Sequence, residues 1–505
     1  MNGSGAAFVV SAALALHALT PCASVGAGET ARQWEPVEWR YENPSWEGNP
    51  FDLIAKAAFR HTRDGDTIDT QLFHAGGAMW VLRFTGTKPG RWEFTTACGD
   101  SNLDGLKGEV TIEPNPGAAG FMTAFGSKWG RLGRDEAFVP QYVSYCSPAD
   151  YHDKAGKIDA DIETWFEEHG FNGFHTFVGM AWFDIGKGSG NYGDIPSGDP
   201  NPDPRTFEAL ELLIGKAHRA GGAVHIWAWG DEQRKMTPFR WGVNGRVDRR
   251  LQRYICARLG PLPAWSMGYG FDLQEWAGRE HLRLWHEHMH ANMGWFHFLG
   301  ARAPDLEQIY DGLDYSSYQQ HRPTYDTYVE AIERRHPGKP SFLEDRFRVR
   351  VNVYPEKDYT PDMTRRGLWD STMAGGAGNI WAYLIDPPAD GSSAVYPNKE
   401  QIRTYSRFWK NRFRKEMVRN NRRTDGVCLE VPGRFCVFYT QDAEELRMDL
   451  AGLQGSLRAV AVDARAEYRE IPLSDLKAES GQVFKAPRRS DWAVAVGDPH
   501  VQGGR

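Results

Sequence analysis

The sequence predicts an α/β protein, a (β/α)8 TIM barrel carried between two all-β domains, and three observations predict it. Short apolar runs alternate with amphipathic helices eight times between 121 and 420. On either side, from Trp34 to Pro116 and from Val427 onward, the helical period disappears and short strands follow one another between Gly, Pro, Asn and Asp. The 505 residues, 41% hydrophobic and 13% aromatic, are enough to fill several cores. The expected division is a signal peptide over 1–28, a β-sandwich over 32–117, the barrel over 121–420 and a second β-sandwich over 425–497.

Taken in order, Ala6 to Leu19 is an apolar segment of signal-peptide length, followed by the small residues Ala23 to Gly28. It implies a secreted or periplasmic protein, with lipid anchoring at Cys22 the lesser alternative because Pro21 fits a lipobox poorly. No stretch qualifies as a membrane span. The first sandwich is read from AMWVLRF (Ala78 to Phe84), RWEFTTA (Arg91 to Ala97) and GEVTIEP, with Lys88-Pro89-Gly90 as a turn and Trp80 and Trp92 as core. PNPGAAG (Pro114 to Gly120) is a linker.

The barrel strands are FVPQYVSY (Phe138 to Tyr145), GFHTFVG, AVHIWAWG, Ala264 to Gly268, GWFHFLG, LDYSSY, the run from Ser341, and NIWAYL. Among the helices, Ile158 to His169 carries Ile158, Ile162, Trp165, Phe166 and His169 on one face. The next opens at Asp203-Pro204, turns Phe207, Leu210, Leu213, Ile214 and Ala217 inward, and stops at Gly221-Gly222. Thr324 caps the sixth helix, and the last packs Ile402, Tyr405, Trp409 and Phe413. The basic run Lys410 to Arg423 reads as the solvated end of that helix plus a linker. VCLEV, FCVFYT, ELRMDL, LRAVAVD and DWAVAVG form the second sandwich, where Cys428 and Cys436 flank a Pro432-Gly433 turn and are placed to face each other across a hairpin.

The net charge of −7 supplies no cationic field for nucleic acid. The cysteines show no metal-ligand spacing such as CxxC, so no metal or cofactor is expected. Oligomeric state is not legible in the sequence.

In a barrel of this kind, reactive groups stand at the C-terminal ends of the strands. Strand seven delivers Glu344 with Asp345, and strand four runs on to Asp272 and Glu275. Tyr142 and Tyr145, His175, Trp229 with Asp231 and Glu232, His297, Tyr318 with His321, and Trp381 end the other strands. Arg346 alternates from Glu344 onto the same side of its strand, where it would keep that carboxylate ionised, and Arg348 and Arg350 continue the alternation. Paired carboxylates suit the cleavage of glycosidic bonds, and flat rings suit stacking on sugars. The plain alternatives are solvated or helix-capping acids and core aromatics.

With WVLRF and GRW in the first sandwich and Trp265, Gly268 and Asp272 on strand four, the chain resembles the apiosidase-like glycoside hydrolases. That resemblance implies an N-terminal Ig-like domain, a catalytic (β/α)8 barrel, and a C-terminal sandwich of the type labelled collagen-binding. It also implies retaining hydrolysis of a polysaccharide or its oligosaccharides, with Glu344 as nucleophile and Asp272 or Glu275 as acid/base. Wider relatives often place Asn before the strand-four acid, whereas Gln274 precedes Glu275 here. Two alternatives stay open: an inactive polysaccharide-binding or adhesion protein, and a polysaccharide lyase with a Tyr or His base.

Overall fold

A computed structural model describes residues 29–499 apart from 188–197, 233–236, 304–309, 321, 336, 350–357, 383–395, 397 and 456, and at 334–335, 345–349 and 358 it describes the backbone alone. Eight parallel strands surround the central core: β1 Gln141–Ser144, β2 Gly173–Phe177, β3 Ala223–Trp229, β4 Trp265–Gly270, β5 Leu299–Gly300, β6 Ser316–Tyr318, β7 Ser341–Val349 and β8 Gly378–Trp381. Hydrogen-bonded order runs β5-β4-β3-β2-β1-β8-β7-β6, and among the described residues a parallel bridge, Ala303 to Tyr318, closes the ring between β5 and β6. Helices α1 Ala155–Ile162, α2 Pro204–Arg219, α3 Arg246–Leu259, α4 Arg279–Asn292, α5 Tyr325–Val329, α6 Pro361–Met373 and α7 Lys399–Trp409 pack around it. Among the described residues no helix is long and apolar enough to cross a membrane.

Local chemistry explains most boundaries. The Asp203 carboxylate accepts from the Arg205 amide at 3.0 Å, Pro204 begins α2, and Gly221 ends it at φ 82°, a conformation costly for any side chain. Phe207, Leu210, Leu213, Ile214 and Ala217 are all buried. Strand five is shorter than GWFHFLG suggests, because Trp295 is drawn into the core of the first β domain, where its indole N–H donates to Thr85 O at 2.9 Å.

The N-terminal domain is a sandwich of a five-stranded and a three-stranded sheet, with Trp80 and Trp92 in its core. A three-stranded unit spanning Met122 to Ala137 follows, and its Trp129 closes the lower end of the barrel, donating to Ser341 O at 2.9 Å. The C-terminal domain is a six-stranded antiparallel sheet whose long strand Phe435–Met448 is irregular between Thr440 and Glu445, so that Phe438, Leu446 and Met448 share one core. No disulfide joins Cys428 and Cys436: their register partners are Phe438 and Glu430, so the two residues sit diagonally and both thiols are free.

Candidate active site

Alternation along the strands sorts the barrel's side chains. Phe342 of β7 lies in the interior cluster with Tyr142, Trp227, Tyr315 and Ile380, whereas Leu343 packs on the helices, so Glu344 returns to the interior. The pairing of β7 on β8 shifts between Leu343 and Arg346, which sets Glu344 at an irregularity of the ladder, a common means of aiming a functional side chain.

Glu344 is fully buried. The Tyr315 hydroxyl donates to its Oε1 at 2.5 Å and the Trp227 indole N–H to its Oε2 at 2.5 Å. His225 Nε2 lies 3.2 Å from Oε1, the longest and least well aligned of the three contacts, and the His225 Nδ1 is 2.9 Å from the Ser266 hydroxyl. Burial alone pushes the Glu344 carboxyl up, but the neighbouring His225 and the hydrogen bonds from His225, Tyr315 and Trp227 outweigh it and hold the carboxyl below the ordinary glutamate range. Burial and the adjacent Glu344 push the Tyr315 phenol far up, so it stays a donor. Gly268 of β4 lies against the carboxylate: a Cβ there would come within 2.8 Å of Oε2.

Arg302, just beyond β5, spans the barrel mouth. Its Nη2 donates to Asp272 Oδ1 at 2.5 Å and its Nη1 to the Glu344 carbonyl at 3.3 Å, while the guanidinium lies 5.4 Å from the ring centres of Trp227 and of Phe271. Asp272 has the left-handed φ of 54° and is partly exposed. Glu275 is exposed, and its Oε2 accepts from the Glu232 amide at 3.1 Å. Asp231 is buried and Glu232 exposed at the end of β3. The strand-three and strand-four acids therefore share one rim with Arg302, and His175 lies inside the barrel with its ring 4.4 Å from Trp227.

Several expected site residues are elsewhere. Tyr145 turns to the helix layer, its hydroxyl donating to Asp161 Oδ2 of α1 at 2.6 Å. His297 sits low in the barrel wall: its Nε2 is 2.8 Å from Gly260 O, its ring stacks on Trp265 at 3.9 Å, and burial pulls its pKa down to about 4. Tyr318, beside Leu343, and Trp381, beside Val143, face the helices rather than the interior. Trp229 is buried with its ring 6.2 Å from Phe183 and offers no open platform. His321 and the side chains of Asp345, Arg346, Arg348 and Arg350 lie outside the described residues. The groups that hold Glu344, namely His225, Trp227, Tyr315 and Arg302, were missed, although period-two alternation from Trp229 along its strand points to the first two.

A cavity of about 580 Å³ lies away from these strand ends, at the junction of α5, α6 and the C-terminal sheet, lined in part by Tyr325, Asp370, Tyr439 and Gln441.

Comparison with known proteins agrees with the architecture. Residues 30–99 match the family model described as Domain of unknown function (DUF5060). No curated protein matches the chain in sequence. A Bacteroides vulgatus protein provisionally described as a glycoside hydrolase superposes with a TM-score of 0.70 at 14% identity, over 93% of this chain and 99% of its own. A family 5 glycoside hydrolase from the same organism gives 0.56 at 14% identity over 77% and 95%, and a structure described as a glycoside hydrolase gives 0.55 at 12% over 75% and 97%. At these identities the likeness establishes the fold: a parallel eight-stranded barrel with helices, flanked by N-terminal and C-terminal β domains.

Proposed function

We propose that the chain is a secreted glycoside hydrolase that cleaves a polysaccharide or its oligosaccharides by a retaining mechanism. The observation that carries this reading is Glu344, a carboxylate in the barrel interior on β7, held ionised by Tyr315, Trp227 and His225. In the first step a Glu344 oxygen bonds to the anomeric carbon as the glycosidic oxygen leaves with a proton; in the second, water cleaves that ester and returns its proton to the acid/base. An ion pair with Arg302 occupies Asp272 as a charged partner, which favours exposed Glu275 for the proton-transfer role and gives Asp272 the task of positioning Arg302.

The test is hydrolysis of a polysaccharide panel followed by an aryl glycoside of the sugar found. Glu344→Gln is expected to lose turnover on every substrate. Glu275→Gln is expected to keep the first step on the aryl glycoside and to yield, with azide, a glycosyl azide of retained configuration; Asp272→Asn gives none. Near wild-type turnover in Glu344→Gln refutes the assignment.

A second reading, carbohydrate binding without hydrolysis, is favoured by one feature: Glu344 has 0% exposure and β4 brings a glycine, Gly268, to its side instead of an acid. Retention on an immobilised polysaccharide with no product from any substrate would select it.

A further inference from the structure

A second cluster of ligating side chains sits away from the barrel mouth. His286 and His290 are four residues apart on α4 and so share one helix face, and both turn their Nε2 atoms to Asp314 just before β6. The distances are 3.4 Å from His286 to Oδ1 and 2.9 Å from His290 to Oδ2, and one ligand atom from each residue lies within 4.8 Å of the others. Donors around a tetrahedral zinc-type ion, at bond lengths of about 2.0–2.1 Å, stand about 3.3 Å apart, so the triad needs only side-chain adjustment to enclose one.

We propose that His286, His290 and Asp314 form a structural site for a zinc-class divalent ion, with solvent supplying the fourth ligand beside the partly exposed His290. Imidazole and carboxylate are the donor set such ions take. The supporting contacts are those of a held site: the Tyr269 hydroxyl lies 3.4 Å from His286 Nδ1, leaving Nε2 to the ion, and the Leu299 amide donates to Asp314 Oδ2 at 2.8 Å. Asp314 N in turn donates to Leu299 O at 3.1 Å, which fixes the carboxylate against β5.

The location gives the ion a role. Asp314 enters β6 and Leu299 starts β5, so the triad lies at the N-terminal end of the strands, where barrel residues serve stability rather than catalysis. It also lies on a thinly paired seam: β5 pairs with β4 through two residues, and among the described residues its link to β6 is one parallel bridge, Ala303–Tyr318, with a few backbone hydrogen bonds such as Asp314 N to Leu299 O. An ion there pins α4 to both strands. The competing account is a metal-free His–Asp–His hydrogen-bonded cluster.

Chelator-treated full-length protein titrated with zinc decides between them, with bound metal measured after equilibrium dialysis and cobalt used as a spectroscopic probe. The expected result is one zinc per chain at about micromolar affinity or tighter, visible bands of four-coordinate cobalt, and a rise in Tm with zinc. His290→Gln, at the most exposed ligand, and Asp314→Asn are expected to weaken binding at least tenfold and to abolish the zinc-dependent rise in Tm. His288→Gln, on the same helix outside the triad, is expected to bind as wild type. Zinc uptake absent at micromolar concentration, or equal in His290→Gln and wild type, overturns the proposal; should Asp314→Asn fail to fold, His290→Gln still decides.

Discussion

Three donors converge on one buried carboxylate at Glu344, and their removal should be graded by what each leaves behind. Tyr315→Phe deletes the 2.5 Å bond to Oε1 while keeping the ring between Trp129 and Phe342. Hydrogen bonds to charged groups contribute about 1.5–3 kcal/mol to stability, so Tyr315→Phe should lower Tm by the equivalent of about that much, and on the proposed reading it should lower kcat/KM as well, because the nucleophile loses a donor that positions it. Steady-state kinetics beside a melting curve checks this; unchanged kinetics would detach Tyr315 from the chemistry. Glu344 was legible because a charged residue closing an apolar run is conspicuous. Tyr315 was not, since LDYSSY holds two tyrosines three residues apart, which fall on opposite faces of a strand, and nothing in the run fixes which faces inward. The same parity problem misplaced Tyr318 and Trp381. His297 failed differently: it precedes the short β5, whose C-terminal end carries Arg302 instead.

At the scale of elements, helix ends were read well where a side chain makes the cap, as at Asp203 and Thr324, since those bonds depend only on neighbours. Elements shaped by distant contacts were not, and β5 lost most of its expected length to the sandwich that claims Trp295. The junction of α6 with the C-terminal sheet hides a group no local pattern discloses. Asp370 accepts from the Gln441 amide at 2.9 Å, and burial, only partly offset by Gln441 and Arg366, pushes its carboxyl up to about 7 from 3.8. A carboxyl raised on folding stabilises the native state below its unfolded pKa, and that contribution is lost as pH climbs from about 4 through about 7. Asp370→Asn keeps the acceptor without the charge. Its stability gain over wild type should therefore be larger at pH 8 than at pH 5, approaching at most about 4 kcal/mol at about 1.4 kcal/mol per pH unit. Urea denaturation at the two pH values measures it, and a difference independent of pH would remove burial of the charge as the cause.

Across the whole molecule, the three β/α and β units are joined by buried ion pairs, and the arginine of the WVLRF motif belongs to one of them. Arg83 reaches out of the N-terminal sandwich to Glu211 of α2 at 2.8 Å and to the carbonyl of Arg258 in α3, and Arg258 Nε donates to the same Glu211 at 2.5 Å. A motif that reads as part of a β-sandwich is thus a docking device, a role invisible without the barrel helices it meets. Burial pushes the Glu211 carboxyl up, but Arg83 and Arg258 outweigh it and hold it below the ordinary range. The stability it contributes is present at neutral pH and lost as pH falls below the unfolded glutamate value. Glu211→Ala would leave two nearly buried guanidinium groups facing each other, with Glu38 beside Arg83 and the half-exposed Glu208, 3.9 Å from Arg258, as compensation. Removing one partner of such a pair costs about 3–5 kcal/mol, whereas replacing the whole set by apolar groups of similar size is often neutral. The single variant should therefore melt earlier, and its linker at 114–120 should become the first site of limited proteolysis as the sandwich releases the barrel. Arg83→Met with Glu211→Leu should recover part of the loss, because it removes the repulsion between the two guanidinium groups and leaves Arg258 as the one cation that has lost Glu211. A Glu211→Ala protein that melts within about 1 kcal/mol of wild type, with the linker still protected, would show that the domains are held by apolar contacts such as Trp295 against Phe84 instead.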